Sequence, residues 1–123
     1  MMKKILLSIH PEYVEKIISG EKRYEFRKVK ARLRPDIIII YSTSPVSQII
    51  GEAEVEDVLV GTPEKVWKIT SMHSGVDPTF FSEYYHNKKE AVAYQLKNVT
   101  VYTEPKELKD YGLNVAPQSF AYI

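Results

Sequence analysis

The chain has 123 residues, of which 44% are hydrophobic and 27% are charged, and its formal net charge is +1. This length fits one domain over residues 1–123, and the composition excludes a disordered or fibrous chain. The chain has no cysteine, which excludes disulfides, thiol nucleophiles and thiolate metal sites. A net charge this small is no argument for a nucleic-acid partner by itself.

The start of the chain predicts neither export nor membrane insertion. The apolar run after Lys3 and Lys4 is too short for the core of a signal peptide, and it lacks a small-residue cleavage site. No stretch approaches the roughly 20 apolar residues that span a bilayer. We therefore expect a cytoplasmic protein without a membrane partner.

The first predicted elements are a strand and a helix. Residues 4–9, KILLSI, are typical of a buried strand. The helix is expected to begin at Pro11 and to end before Gly20, because proline favours the first helical position and glycine the position just past the end. The apolar residues between them recur at helical spacing, which predicts one buried helix face.

The next segment, RYEFRKV, alternates with period two and predicts a second strand. Tyr24 and Phe26 share one face of this strand, and we expect them to pack into the core. Glu25 and Arg27 point the other way, because successive side chains of a strand emerge on opposite faces.

The rest of the chain predicts four further strands and three short helices. Strands are expected at 37–45, 48–60, 90–102 and 118–123, and helices at 62–70, 77–85 and 105–112. Asp57 interrupts an alternating pattern, which indicates a bulge or a strand end. The order β-α-β-β-β-α-α-β-α-β has too few crossovers for a doubly wound sheet. It predicts an α+β fold, a mixed β-barrel of about five to six strands with short peripheral helices.

Lys22, Glu25 and Arg27 form the first candidate site. Residues 25 and 27 are two apart on a strand, so their side chains emerge from one face roughly 7 Å apart. Lysine and arginine at one concavity bind phosphate or carboxylate, while the glutamate fixes the arginine or accepts from a base amino group. The alternative is a surface ion-pair network, which contributes roughly 0–1 kcal/mol per pair.

A basic run supplies the second candidate site. Residues 21–34 carry seven basic and two acidic side chains, a local charge of +5, which is enough to steer an anion to one face. Every second position at its end is basic: Lys28, Lys30, Arg32 and Arg34. The run is expected to be either a solvated strand edge that charge protects from aggregation, or a phosphate-contacting rim whose affinity falls with salt.

Scattered polar residues complete the candidate site. His10 lies just before the first helix, where it caps the helix or faces the concavity of the first candidate site. Ser42 and Gln118 lie at strand ends, where they line a base-recognition pocket or satisfy turn hydrogen bonds. His10, His73 and His86 lack metal-ligand spacing, so we expect no metal site and no cofactor.

The aromatic residues are expected to serve mainly as core. In FFSEYY, residues 80–85, rings at helical spacing pack inward, with about one ring in four exposed for base stacking. Trp67 is expected to anchor its short helix by packing.

The segment LSIHPEYVEKIISGEKRYEFRK resembles the opening of ASCH domains, a branch of the PUA-like superfamily. Gly20, Lys22, Glu25 and Arg27 match the G-x-K-x-x-E-x-R signature of that family, and YSTSPVSQIIGEAEVEDV and APQSFAYI resemble its later strands. The chain is most similar to the stand-alone prokaryotic members described as predicted transcriptional regulators. The resemblance implies a PUA-like barrel with a ligand cleft between the first helix and the barrel, floored by the signature residues.

Some small ASCH proteins are amidohydrolases that remove the acyl group of N4-acetylcytidine with a lysine, a threonine and a glutamate. Lys22 matches the lysine, whereas Glu25 occupies the threonine position, and His73 and Ser74 stand where the acid is expected. The resemblance therefore implies that this protein does not hydrolyse N4-acetylcytidine efficiently.

Taken together, these features favour recognition of RNA or of a nucleotide derived from it, with a regulatory role. Protein partners are not indicated by any feature of the sequence. The alternative is a small hydrolase, amidohydrolase-like or ribonuclease-like, with Lys22 and Glu25 as acid and base groups acting on a modified nucleoside or on RNA. A charged triad at the bottom of a nucleoside-sized pocket would favour the enzyme, and an open basic groove would favour polymer binding.

Overall fold

The computed structural model describes residues 2–123. The described residues form one six-stranded sheet, three α-helices and two 3₁₀ turns. The strands are β1 (Lys4–Ile9), β2 (Tyr24–Arg27), β3 (Ile37–Ser42), β4 (Gln48–Gly61), β5 (Ala91–Lys106) and β6 (Phe120–Tyr122). The helices are α1 (Pro11–Ser19), α2 (Pro63–Thr70) and α3 (Pro78–Tyr84), and the 3₁₀ turns span Ser71–His73 and Leu108–Tyr111.

The sheet has the strand order β2-β5-β4-β3-β1-β6. β1 pairs with β3 in parallel, and each other neighbouring pair of this sheet is antiparallel. A parallel pair needs a long crossover, and the segment that contains α1 and β2 provides it. The sheet curls into a half-barrel with short helices around it, which confirms the α+β, PUA-like mixed-barrel fold expected from the sequence.

Apolar side chains are buried on both faces of the sheet. The inner face of the curl carries the largest cluster, which Val14 and Ile17 of α1 cover. On the outer face, one cluster surrounds Phe81 beneath α2 and α3, and another surrounds Tyr41 and is covered by apolar residues within 102–116. The four consecutive isoleucines of β3 are therefore buried on both faces, as a strand of this composition predicts.

The helix ends follow the sequence signals. Proline occupies the first position of all three α-helices of the described chain. The Thr62 hydroxyl accepts a hydrogen bond from the Lys65 amide at 3.3 Å, and Asp77 accepts one from the Phe80 amide at 2.8 Å. α1 ends at Gly20, whose φ of 87° is a left-handed conformation that glycine adopts without strain.

The predicted alternation of β2 is confirmed and Phe26 packs into an apolar core cluster as expected, but that cluster lies on the outer face of the sheet. Glu25 pairs with Tyr94 and Arg27 with Val92, and both partners belong to the inner cluster. Phe26 instead packs on the outer face, in the cluster beneath α2 and α3. Alternation shows which residues share a face of a strand, but the concave face depends on how the whole sheet curls.

The basic run is a loop and not a strand edge. β2 ends at Arg27, and residues 28–36 contain no strand. Two backbone amides of this loop donate hydrogen bonds to side chains. Ala31 donates to the Tyr94 hydroxyl and Leu33 to the Tyr122 hydroxyl, both at 3.0 Å. These bonds occupy donors that a strand would direct to its neighbour.

Two further expectations are tested by the fold. The register between β4 and β5 shifts between Val55 and Asp57, which confirms a bulge there. Within residues 2–123, the helices are all too short or too polar to cross a membrane.

Candidate functional site

A pocket of about 650 Å³ opens beside the start of α1, the inner face of β2 and the end of the chain. A volume of this size lies within the range of small-ligand sites, roughly 300–1,000 Å³. The charged and small polar residues that line it are Ser8, His10, Lys22, Glu25, Arg27, Lys28, Thr43, Gln118 and Ser119.

Lys22 is the most deeply buried charged residue of the pocket, with 2% of its surface exposed. Its Nζ donates to the Ser74 carbonyl at 2.8 Å and lies 4.7 Å from the ring centroid of Phe26 and 5.4 Å from that of Tyr13. Burial lowers the pKa of the Lys22 ammonium below its ordinary value, while the nearby Glu25 carboxylate acts in the opposite direction.

The segment 73–76 fixes the position of Lys22. The Arg23 amide donates to the His73 carbonyl at 2.8 Å, next to the bond from Lys22 to Ser74. Gly75 has a φ of 70°, and a Cβ atom there would collide with the Lys22 side chain. Only glycine therefore lets this segment cross the lysine so closely.

Glu25 and Arg27 form a hydrogen-bonded ion pair next to Lys22. Arg27 Nη2 donates to Glu25 Oε2 at 2.9 Å and to the Ser8 carbonyl at 2.8 Å, and Nη1 donates to the Ser119 carbonyl at 3.4 Å. The guanidinium thus links β2 to β1 and to the residue before β6. Because β2 and β6 are the two edges of the sheet, Arg27 bridges the opening of the half-barrel.

Glu25 lies between the two cations. Its Oε1 is 3.9 Å from Lys22 Nζ, which is too long for a hydrogen bond. Lysine has three donors, and Ser74 receives one of them within the described chain. Lys22 and Glu25 therefore keep hydrogen-bonding capacity that a molecule in the pocket can use.

An aromatic wall faces this charged cluster. Tyr13, Phe80 and Tyr84 line the pocket, with the Tyr13 and Phe80 ring centroids 5.7 Å apart and those of Phe80 and Tyr84 5.9 Å apart. Lys28 Nζ lies 4.6 Å from the centroid of the Tyr84 ring. The site therefore combines cations, a carboxylate and aromatic surface in one cavity.

The structure brings six of the nine residues selected from the sequence to this pocket: His10, Lys22, Glu25, Arg27, Lys28 and Gln118. Lys30 and Arg32 are exposed on the following loop and do not line the pocket. Ser42 is buried at the end of β3, and the next residue, Thr43, lines the pocket instead. His10 leaves α1 without a side-chain cap and lines the pocket.

The sequence predicted about one exposed ring among residues 80–85, and Phe80 is that ring, but it did not predict which ring this would be or that Tyr13 would lie beside it. Phe80 and Tyr84 have the same helical spacing as Phe81 and Tyr85, which are buried in the core. Spacing predicts that each pair is adjacent on the helix, but it does not tell which pair faces the sheet. The segment 71–76, in turn, supplies carbonyl oxygens to Lys22 and Lys16 through Ser74 and Gly75, not a carboxylate.

Among residues 2–123, no cluster of histidine, aspartate and glutamate side chains has the geometry of a metal site. The pocket itself offers the chemistry of a lysine, a carboxylate and an arginine. These groups bind anions and exchange protons.

A curled six-stranded sheet with a buried charged cluster at its opening defines the chain as a PUA-like half-barrel domain. The chain belongs to the ASCH domain family, whose profile matches residues 7–113. The family resemblance seen in the sequence is thus confirmed, whereas the transcriptional-regulator type within the family finds no support.

Two curated relatives carry different names. Large ribosomal subunit protein uL22 of Ureaplasma parvum serovar 3 is 28% identical over 120 residues, which are 97% of this chain but 39% of that protein. An ASCH domain-containing ribonuclease of Zymomonas mobilis is 28% identical over 97 residues, 78% of this chain and 66% of that protein. This chain thus spans about two fifths of the first relative and about two thirds of the second.

Solved structures share the whole fold. The crystal structure of ASCH from Zymomonas mobilis matches with a TM-score of 0.88 at 25% identity, over 98% of this chain and 87% of that chain. A point mutant of the same protein matches with a TM-score of 0.88 at 25% identity, over 99% of this chain and 89% of the other.

Proposed function

We propose that this protein binds RNA by admitting one unpaired nucleotide to the pocket. The observation that carries the proposal is the meeting of Lys22 and Glu25 with an aromatic wall inside one cavity of about 650 Å³. A lysine with unused donors suits a phosphate or a base carbonyl, and a carboxylate oxygen suits the amino or imino group of a base. In this proposal Arg27 holds Glu25 in place and adds positive charge.

The loop after β2 supplies the approach to the pocket. Lys28 stands at the pocket, and Lys30 and Arg32 are exposed beyond it. Exposed cations attract the phosphate backbone without reading sequence, and their contribution falls with salt. Ser42 is buried and takes no direct part in this proposal, while Gln118 and His10 line the pocket as polar contacts.

A second candidate function is cleavage of the bound RNA. The buried Lys22, whose pKa is lowered, and the adjacent Glu25 favour it, as does the relative named a ribonuclease. Glu25 would take the proton of a ribose 2′-hydroxyl while the 2′-oxygen attacks phosphorus. The bond from phosphorus to the 5′-oxygen then breaks, and Lys22 returns a proton to that oxygen. The products are a 2′,3′-cyclic phosphate and a 5′-hydroxyl.

An RNA analogue without free ribose 2′-hydroxyl groups distinguishes RNA binding from RNA cleavage. We expect a single-stranded RNA to bind and to be cut in a chelating buffer, and its all-2′-O-methyl analogue to bind without being cut. Lys22→Met should abolish cleavage, since loss of an acid or base group costs about 10²–10⁴-fold, and should weaken binding of the analogue. Lys88→Met, outside this pocket, is the matched control.

Four outcomes decide between these proposals. Binding of the analogue with the same affinity by Lys22→Met would overturn the RNA site. Binding without any cutting would limit the function to recognition. If cutting occurs, its rate should fall at alkaline pH with a midpoint below 10.5, the ordinary lysine value, because the acid group must be protonated. Turnover of N4-acetylcytidine on the order of 10 s⁻¹ would point to an amidohydrolase instead.

A further inference from the structure

We infer that Phe80 and Tyr84 form a base-stacking surface, so that the ligand is a single-stranded stretch of nucleic acid. This inference rests on the proposed RNA site and specifies its substrate class. It assigns a binding role to a helix, α3, that contributes none of the charged residues of the pocket.

The first observation is the contrast between two consecutive phenylalanines. Phe81 is 6% exposed and packs in the outer cluster, 4.6 Å from Trp67 by ring centroids. Phe80 is 39% exposed and lines the pocket. Because Phe80 is both exposed and part of the pocket lining, its ring keeps surface that a molecule in the pocket can contact.

The second observation is the arrangement of the rings. Phe80 and Tyr84 are stacked with an angle of 12° between their ring planes, and Tyr13 lies beside Phe80 at an angle of 59°. Because Lys28 lies over the Tyr84 ring, Phe80 offers the exposed end of this stack, and Tyr84 supports it. Flat rings of this kind receive the face of any nucleic-acid base, and this contact tolerates different sequences. Paired bases in a duplex are already stacked and their faces are not available, which selects for a single strand.

The third observation is charge. Lys28 Nζ lies 4.6 Å above the Tyr84 ring, and Lys30 and Arg32 are exposed on the same loop. A strand that stacks a base on Phe80 would place its phosphates near this cationic end of the stack. Aromatic rings beside cations suit a polyanion with aromatic bases, whereas an apolar peptide has no need of the cations.

The experiment is a binding cycle with uncleavable 2′-O-methyl tetranucleotides in which each position in turn lacks its base. Phe80→Leu keeps an apolar side chain without a ring, and Phe80→Trp keeps a ring. We expect Phe80→Leu to weaken binding of the complete tetranucleotide roughly 5- to 150-fold, the range of one stacked base. Phe80→Trp should bind like the wild type and show fluorescence quenching beyond that of Trp67.

This double-mutant cycle between Phe80→Leu and the abasic positions distinguishes base stacking from a purely structural role of Phe80. One abasic position should cost the wild type as much as Phe80→Leu does, and the two changes together should cost no more than either alone. Additive losses at all four positions, or equal binding of a duplex, would overturn the stacking surface. Lys22→Met separates the two proposals: if it weakens binding while Phe80→Leu does not, the pocket stands and only the stacking surface is refuted.

Discussion

The segments 22–27 and 28–34 are both rich in basic residues, but the fold treats them differently. Lys22, Glu25 and Arg27 are largely buried, and each touches named partners. Lys30 and Arg32 are exposed on a loop. A buried charge costs free energy that only partners of the right geometry recover, whereas an exposed charge is solvated and screened. The buried side chains of segment 22–27 are therefore held in one arrangement, whereas the exposed side chains of segment 28–34 contribute a positive electrostatic potential.

Two arginine ion pairs test this contrast most strongly. The pair of Arg27 with Glu25 is buried and spans 2.9 Å, whereas the pair of Arg34 with Asp57 spans 3.7 Å with side chains 52% and 55% exposed. Arg27→Met leaves the buried Glu25 without its closest partner and releases the Ser119 carbonyl. We expect a loss of about 3–5 kcal/mol in the free energy of unfolding, measured by denaturant titration.

Arg34→Met is the matched control for that measurement. Because its ion pair is exposed, the loss should be about 0–1 kcal/mol. Equal losses in the two variants would contradict the view that burial distinguishes the two segments.

Gly75→Ala tests how strictly the position of Lys22 is fixed. Gly75 has a φ of 70°, and its missing Cβ leaves the space that the Lys22 side chain fills. We expect a loss of about 1–3 kcal/mol in unfolding free energy, from backbone strain and overpacking. Gly112 also has a positive φ, 75°, but has open space around it.

Gly112→Ala is therefore the control that keeps the strain and removes the collision. A larger loss in Gly75→Ala than in Gly112→Ala measures the contact with Lys22. If Gly75→Ala also weakens nucleotide binding while Gly112→Ala does not, the contact positions the lysine for its ligand. Equal effects of the two substitutions would show that the contact is unimportant.

The pH dependence of stability reports the burial of Lys22. Burial lowers the pKa of its ammonium in the folded state below the ordinary value of 10.5, so the unfolded chain binds more protons between those two values. Stability should therefore rise with pH in that window, by at most about 1.4 kcal/mol per pH unit. Lys22→Met should lack this rise when unfolding is measured across pH, and a rise that persists in this variant would assign it to another group.

The sequence predicts most of the elements because their signals are local, although the helix expected at 105–112 is a 3₁₀ turn at Leu108–Tyr111 and β5 extends to Lys106. Proline at helix starts, Gly20 at a helix end and Asp57 at the bulge all act within a few residues. It fails where the answer depends on distant parts of the chain. The inward direction of Glu25 follows from the curl of the whole sheet, and the choice of Phe80 over Phe81 for the pocket follows from how α3 docks.

The same reasoning explains what could be predicted of the candidate site. The spacing of Lys22, Glu25 and Arg27 is local, so the sequence groups them, and the fold brings them to one pocket. The contacts of Ser74 and Ser119 with this group come from segments far along the chain. No local sequence pattern predicts these contacts, because Ser74 and Ser119 contribute only main-chain carbonyls to them, and every residue has a main-chain carbonyl.

Charge reversal of the exposed loop should give the smallest effect on the fold. Lys30→Glu with Arg32→Glu changes two exposed side chains, so the free energy of unfolding should change by about 0.5 kcal/mol or less for each substitution. Binding of single-stranded RNA should weaken to a similar degree for all sequences, and the slope of affinity against salt should become flatter, because fewer counterions are released. Anisotropy titrations at several salt concentrations measure both. Unchanged affinity and slope would leave the buried segment 22–27 as the source of the electrostatic attraction, and would remove the loop from the site.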